Sequence, residues 1–451
     1  MARVVVDLGG CFVRAGVASD AAASTSGGGP PAPRLVVPNM SAKVKGSRAA
    51  VIADEVASVP DVSSLVIRRP FDKGYLVNAE LESQILDRVF GDRRLGVGST
   101  KGASLLCTEP AFALPAIQHT LNELAFEKYG FDRLLAVPAP YLTARACAFG
   151  ARPAAVREVV ARGGAACADS LEAARRASCG VVVDAGFSFS HAVPFVDGKM
   201  ALAGVRRLNF GGKAMTNLLK EVVSYRAINM MDETYIIDDI KEKMCFVAQD
   251  FEAAGAEARK GVRSEHYGEY VLPDGVRCAR GYVRAKRGAA GGSEDEDDDD
   301  EDEEDGAGPS AVEEQYLPIC NERFMTPEVL FHPSDIGINQ AGLPELVTQA
   351  VDALRSPALD PGLLYANVVL SGGCVNIPGF VDRFAAELRK LVPDSLDLNL
   401  ALPDDPQTCA FAGGVALARS DAFERMACTR AEYEEHGGDR LRRPQLSLIH
   451  V

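Results

Sequence analysis

Val4-Val5-Val6-Asp7-Leu8-Gly9-Gly10 and, far downstream, Val181-Val182-Val183-Asp184-Ala185-Gly186-Phe187-Ser188 decide the fold of this chain. Each is a run of β-branched apolar residues that ends in aspartate and a glycine turn. Continuous Val runs of this kind read as strands buried on both faces. A strand that stops at Asp-x-Gly places a carboxylate and free backbone N–H groups at one tight turn. Two such turns facing each other suit the two ends of a nucleotide phosphate chain, with a divalent cation between them. A third turn, Leu370-Ser371-Gly372-Gly373, follows the apolar run Val368-Val369-Leu370. Three turns in one chain predict a duplicated α/β fold around a central cleft.

The chain has 451 residues, of which 47% are hydrophobic, enough for two or more lobes with a sizeable core. No apolar stretch reaches the roughly 18 residues that span a bilayer. Met1-Ala2-Arg3 runs straight into a strand without a secretory apolar segment, so the reading is a soluble intracellular protein without a membrane role. The 11 cysteines are dispersed and lack a CxxC pair, which argues against a disulfide framework or a zinc site. Net charge is −15, but the run Glu294-Asp295-Glu296-Asp297-Asp298-Asp299-Asp300-Glu301-Asp302-Glu303-Glu304-Asp305 supplies −12 of it, leaving −15 + 12 = −3 for the rest. No basic footprint points to sequence-specific DNA binding.

Three segments read as insertions. Residues 20–33 are Ala, Ser, Gly and Pro, a surface loop. Residues 151–178 are Ala/Arg-rich, with a helix predicted around 154–161. Residues 277–312 lead from a basic stretch into the acidic run; adjacent carboxylates repel and bury nothing, so this segment is predicted to be disordered. Between them strands alternate with helices. Strands are predicted at 105–108 and 134–137. Helices are predicted at 115–129, 144–149, 212–225, 238–251 and 378–391, the helix at 238–251 with Ile240, Met244, Val247 and Phe251 on one face.

The three turns, in this order, resemble the actin, heat-shock ATPase and sugar-kinase superfamily. Longer strings are similar to actins: Asp239-Ile240-Lys241-Glu242-Lys243-Met244-Cys245, Asn321-Glu322-Arg323-Phe324 with Pro327-Glu328, Pro378-Gly379-Phe380 with Asp382-Arg383, and Phe411-Ala412-Gly413-Gly414 with Arg430-Ala431-Glu432-Tyr433. Other strings look like one branch, the actin-related protein 6 family: Pro70-Phe71-Asp72-Lys73-Gly74-Tyr75, Thr108-Glu109-Pro110, Ser224-Tyr225-Arg226, Met231-Asp232-Glu233-Thr234 and His332-Pro333-Ser334-Asp335-Ile336-Gly337-Ile338. The resemblance implies an actin-like fold of two α/β lobes and four subdomains. These are 1–34 with 71–150 and 409–451 (subdomain 1), 35–70 (subdomain 2), 151–207 with 339–408 (subdomain 3), and 208–338 (subdomain 4). It also implies a nuclear scaffold subunit of a chromatin-remodelling complex that exchanges a variant histone dimer into nucleosomes, beside a remodelling ATPase and a small zinc-finger subunit. The alternatives are an active ATPase of the superfamily and a cytoplasmic actin-like cytoskeletal component. Residues 38–69 lack actin's glycine- and methionine-rich loop string, so no self-filament is expected.

Carried across residue by residue, the resemblance implies a pocket for ATP or ADP. Asp7, Gly9, Gly10 and Arg14 belong to the first turn; Asp184, Gly186 and His191 to the second. Gly212, Lys241 and Glu242 flank sugar and base, and Gly372 and Gly373 complete the adenine side. Four positions depart from the actin pattern. Cys11 replaces a glycine and Leu8 a polar neighbour of the aspartate. Phe187 stands where actin has an acid near the metal waters, and Arg145 where it has the glutamine that positions attacking water. Losing a carboxylate weakens the hold on magnesium, and an arginine cannot accept a hydrogen bond from water. Little or no hydrolysis is expected, and the residues alone leave nucleotide and magnesium binding undecided. The acidic run reads as a solvated loop or, alternatively, as a histone-facing polyanion, since histones are strongly basic.

Overall fold

The computed structural model describes residues 2–18, 31–47, 49–63, 65–91, 94–95, 97, 99–148, 156–160, 165–284 and 314–437. Two large sheets share one plan. In the first, strands Arg133–Pro138, Ser104–Glu109 and Arg3–Leu8 run parallel, and Phe12–Val17 then folds back antiparallel on Arg3–Leu8. In the second, Asn399–Pro403, Val368–Ser371 and Gly180–Ala185 are parallel, and Ser190–Val196 folds back on Gly180–Ala185. The equivalence reaches single residues: Asp7 lies opposite Arg14 in one hairpin, and Asp184 opposite His191 in the other. The central strands are the apolar runs of the sequence, because helices cover both faces of a parallel sheet. Val4, Val5, Val6, Val181, Val182 and Val183 are all buried.

The lobes are joined through a shared apolar cluster. Tyr141 and Leu142 of the helix Ala139–Thr143, with Phe411 and Val415 of the helix Cys409–Arg419, meet Val5 and Leu106 of one sheet and Val182 and Val369 of the other. Gly413 permits this contact, since a Cβ there would stand 1.9 Å from the Leu142 carbonyl oxygen. A small three-stranded sheet (Ser41–Val44, Val51–Ile52, Leu65–Arg68) tops the first lobe, and another (Gly268–Val271, Tyr282–Val283, Tyr316–Ile319) tops the second. Contacts bridge the two tops. Tyr235 packs into the apolar cluster of the first, and Arg280 donates to the carbonyls of Ala57 and Val59 at 2.9 and 3.0 Å. No helix among the described residues is long and apolar enough to cross a membrane.

Several expectations need correction. The segment predicted as a helix around 154–161 contains a strand, Val156–Val160, antiparallel to Asn399–Pro403; its Val-Arg-Glu-Val-Val composition favours the extended state, and a sheet edge stood open to receive it. The helix of the insertion follows at Ala165–Arg176. The helix predicted over 238–251 runs over Thr234–Met244, where Cys245 turns extended (ψ 147°) and the Arg323 guanidinium accepts the role of cap by donating to the Met244 carbonyl at 2.8 Å; a new helix starts at Phe251. The helix predicted at 144–149 begins earlier, at Ala139, and widens into an i→i+5 turn over Ala144–Ala148. Leu35–Pro38, grouped with 35–70, pairs with Phe12–Val17 in the large sheet. Residues 277–284, placed in the disordered insertion, are structured, with Tyr282–Val283 pairing with Gly268–Val271. The acidic run 294–305 and most of the loop 20–33 lie outside the described residues.

Candidate functional site

The three glycine turns converge on one cleft of about 580 Å³ between the lobes. Asp7, Gly9, Gly10, Arg14, Asp184, Gly186, His191, Gly212, Lys241, Glu242, Gly372 and Gly373 all line it, as do Leu8, Cys11 and Phe187. The turns need their glycines. Gly372 has φ +94°, and a Cβ there would stand 2.3 Å from the Ala185 carbonyl oxygen. A Cβ at Gly10 would meet the Ser188 hydroxyl at 2.4 Å, so the first and second turns touch at this point. Gly186 accepts from the Gly212 N–H at 3.1 Å, which ties the second turn to the helix Gly212–Arg226.

The acids are held differently on the two sides. Asp7 accepts from Thr108 Oγ1 at 2.9 Å and from Arg14 Nη1 at 3.1 Å, and Arg14 Nη2 reaches Gln407 Oε1 at 3.3 Å. The Leu8 N–H donates to the same Thr108 hydroxyl at 2.8 Å. Burial, reinforced by the neighbouring Asp7 charge and only partly offset by Arg14, pushes Asp184 up to about 6. Burial, helped by the Arg207 cation, pushes His191 down to about 3, so it is a neutral imidazole; its Nε2 has no partner and its ring stands edge-on to Phe189 at 4.4 Å. Burial opposes the charge of Asp238, but Lys241 outweighs it and lowers that carboxyl. Lys241 donates to Asp238 and, at 3.0 Å, to Thr216 Oγ1. Burial and the Asp238 charge raise Glu242.

Phe187 carries cations on its ring: the Arg69 guanidinium lies 4.5 Å and Lys241 Nζ 5.9 Å from its centroid. Arg69 also donates to the Cys11 carbonyl at 3.3 Å and approaches Asp238 at 3.9 Å. Arg145 is the predicted site residue that the cleft does not include. It lies further along its helical segment and hydrogen-bonds Tyr141; the residues of that segment that line the cleft are Ala139, Pro140 and Thr143. Sequence reasoning missed Thr108, Asn39, Ser188, Gln407 and Arg69. Thr108 carried a signal: it ends an apolar strand beside the one that ends in Asp7.

This donor set suits phosphate better than a divalent cation. Backbone N–H groups at glycine turns and the cations Arg14 and Lys241 suit a polyanion. Both oxygens of Asp7 accept hydrogen bonds, one of them from a guanidinium, and an aromatic ring stands at 187; the other carboxylates lining the cleft among the described residues are Glu109, Asp184 and Glu242. Among the described residues no cluster of three or more His, Cys, Asp or Glu could hold a metal ion. The site does not fit a firmly held magnesium ion.

A cleft between two lobes of one plan is the arrangement of an actin fold, and the family description Actin matches residues 1–444. The chain belongs to the actin family. It is 38% identical to "Actin-related protein 6" of Oryza sativa subsp. indica over 98% of this chain and 97% of that one, and 36% identical to the protein of the same name in Arabidopsis thaliana over 98% of each. The Drosophila melanogaster protein of that name is 36% identical over 89% of this chain and 92% of its own. Within the family the chain is an actin-related protein of the 6 type.

Proposed function

We propose that this chain is a nuclear scaffold subunit of a chromatin-remodelling complex that exchanges a variant histone dimer into nucleosomes, holding ATP or ADP in its cleft with little or no hydrolysis. The likeness to actin-related protein 6 over almost the whole chain supports the type of subunit. The observation that carries the non-hydrolytic reading is the cleft chemistry. Phosphoryl transfer needs a placed nucleophile and neutralised charge. Arg145 does not reach the cleft, Phe187 stands where the actin resemblance has an acid, and Arg14 is engaged with Asp7. A nucleotide held this way acts by binding: it stabilises the closed arrangement of the lobes in proportion to its occupancy. The partners are a remodelling ATPase and a small zinc-finger subunit.

Affinity purification of the tagged chain from nuclear extract tests the reading. Recovery of a large remodelling ATPase with a small zinc-finger protein is expected; a chain recovered alone, or sedimenting as salt-induced filaments, overturns it.

A further inference from the structure

Beneath the first phosphate turn lies a polar pair that the cleft itself does not expose. Glu82 sits on the inner face of the helix Ala79–Phe90, among Leu81, Ile85, Leu86 and Val89, and is 0% exposed. Asn39, also 0% exposed, lies against it. The Asn39 side chain Nδ2 donates to the Gly9 carbonyl at 2.9 Å, and its backbone N–H donates to the Cys11 carbonyl at 2.7 Å. One residue thus holds both shoulders of the turn, with Arg69 as a second donor to the Cys11 carbonyl.

The accounting of donors is the telling part. With Glu82 ionised, both its carboxylate oxygens and Asn39 Oδ1 are buried acceptors without a donor among the described residues. Orphaned buried acceptors are costly, and a facing pair of them more so. A single proton resolves the arrangement: a neutral Glu82 carboxyl is a donor, and Asn39 Oδ1 is the acceptor beside it. That bond also fixes which way the Asn39 amide points, with Oδ1 towards Glu82 and Nδ2 towards Gly9.

We propose that Glu82, carrying its proton, is a positioning residue for the first phosphate turn: it donates to Asn39 Oδ1, and Asn39 in turn holds Gly9 and Cys11 in the geometry that receives a nucleotide phosphate. Burial pushes Glu82 up to about 8 and outweighs the lowering pull of the Asn39 side chain beside it, so the neutral form prevails at pH 7. The ionisable groups around it do not oppose this. Tyr129, across from the same helix, has its own titration pushed far up by burial and the Asp87 carboxylate; its hydroxyl is engaged with Asp87 and the Ser83 carbonyl. Asp87 is turned to Tyr129 and Lys128. Arg88 is turned outward to Asp54 and Glu55. Losing the proton leaves an anion facing Asn39 Oδ1, the amide turns over to offer Nδ2 to Glu82, and the Gly9 carbonyl is released towards the cleft.

The inference rests on the proposed nucleotide-holding role of the cleft, so it is tested with and without nucleotide on the full chain. Titration calorimetry with ADP from pH 7 to pH 9 is compared for the unaltered chain, Glu82→Gln and Glu82→Leu. If only the neutral form binds, affinity of the unaltered chain falls about tenfold by pH 9, where about a tenth of Glu82 remains protonated. Glu82→Gln keeps a donor for Asn39 at every pH and shows the pH 7 affinity throughout. Glu82→Leu has no donor and binds weakly at both ends. Titration of ADP and of Asp184 is common to all three chains and cancels in the comparison. Amide hydrogen exchange at Gly10 and Cys11 in nucleotide-free protein gives the second readout. Faster exchange is expected in Glu82→Leu, and in the unaltered chain at pH 9 relative to Glu82→Gln at the same pH. If ADP binds none of the chains, the nucleotide reading fails while exchange still tests the positioning. Identical exchange and identical pH profiles in the unaltered chain and Glu82→Gln overturn the inference, even if Glu82→Leu does not fold.

Discussion

Asp7 and Arg14 face each other across adjacent strands of one hairpin, with guanidinium Nη1 3.1 Å from carboxylate Oδ2. This pair gives the cleft a resident cation beside its first acid. With Arg14 present, ADP affinity is expected to be nearly the same with and without added magnesium. Arg14→Ala leaves Asp7 and Asp184 as neighbouring anions without a counter-charge, so binding weakens by about tenfold or more, or about 1.4 kcal/mol, and becomes magnesium-dependent. Calorimetry in the presence of magnesium or of a chelator reads this, and a strong magnesium requirement in the unaltered chain contradicts it.

The Phe187 ring in the cleft makes a second prediction. Steady-state phosphate release from ATP by the isolated chain stays at the protein-free background. Phe187→Asp restores an acid but supplies no group that positions the attacking water, so release remains at background in that variant too. Turnover by the unaltered chain rules out the non-hydrolytic reading.

His191 sets a pH dependence with a definite sign. Its pKa drops from the ordinary 6.5 to about 3, first through burial and then through Arg207. The unfolded chain therefore takes up this proton first, and stability contributed at pH 7 is lost as pH falls from about 6.5 towards about 3. Asp184, raised from 3.8 to about 6, and Glu82, raised from 4.5 to about 8, act in the opposite direction; their terms fall as pH rises through those windows. The His191 contribution is read as the difference between the unaltered chain and His191→Gln. On going from pH 7 to pH 5 the thermal midpoint of the unaltered chain drops relative to that of the variant; parallel midpoints disprove the assignment.

Two buried contacts predict losses of stability. Arg383 pairs with Glu328 at 3.0 Å and donates to the Ala248 carbonyl at 2.7 Å, with both side chains under a tenth exposed. Glu328→Ala leaves that guanidinium with Glu387, 3.0 Å from its Nε, and with the Ala248 carbonyl, so the loss of the buried partner costs about 1–3 kcal/mol. Gly413→Ala drives a methyl into the Leu142 carbonyl and costs about 1–3 kcal/mol as the two joining helices separate. Denaturant titration measures both, and an unchanged midpoint in either variant refutes its case.

Deleting residues 294–305 tests the acidic run. If it attracts histones, the deleted chain binds a histone dimer more weakly at low salt, and the difference vanishes as ionic strength rises. Equal affinity at low salt removes the idea.

Much of the fold was legible because its signals are local. A β-branched run ending in Asp-x-Gly carries its own strand, carboxylate and turn, and the strings around Lys241, Arg323, Arg383 and Gly413 mark the family. Glu328 and Arg383 even sat in two separate quoted strings before the structure joined them as an ion pair. The Val156–Val160 strand carried a short β-branched signal, but it is only five residues inside an Ala/Arg-rich segment, and the neighbouring sheet edge decided its state.

The sequence by itself determined that three glycine turns follow apolar strands and that they belong to two duplicated lobes of the actin family. Only the tertiary structure decided which groups meet. It turned Pro140 rather than Arg145 to the cleft, set Thr108 and Arg14 on the two oxygens of Asp7, brought Ser188 against Gly10, and placed Glu82 and Asn39 beneath the first turn. The physical reason is distance along the chain. A turn is written in four or five consecutive residues, whereas the partners of a buried polar atom come from separate elements whose register and packing place them together.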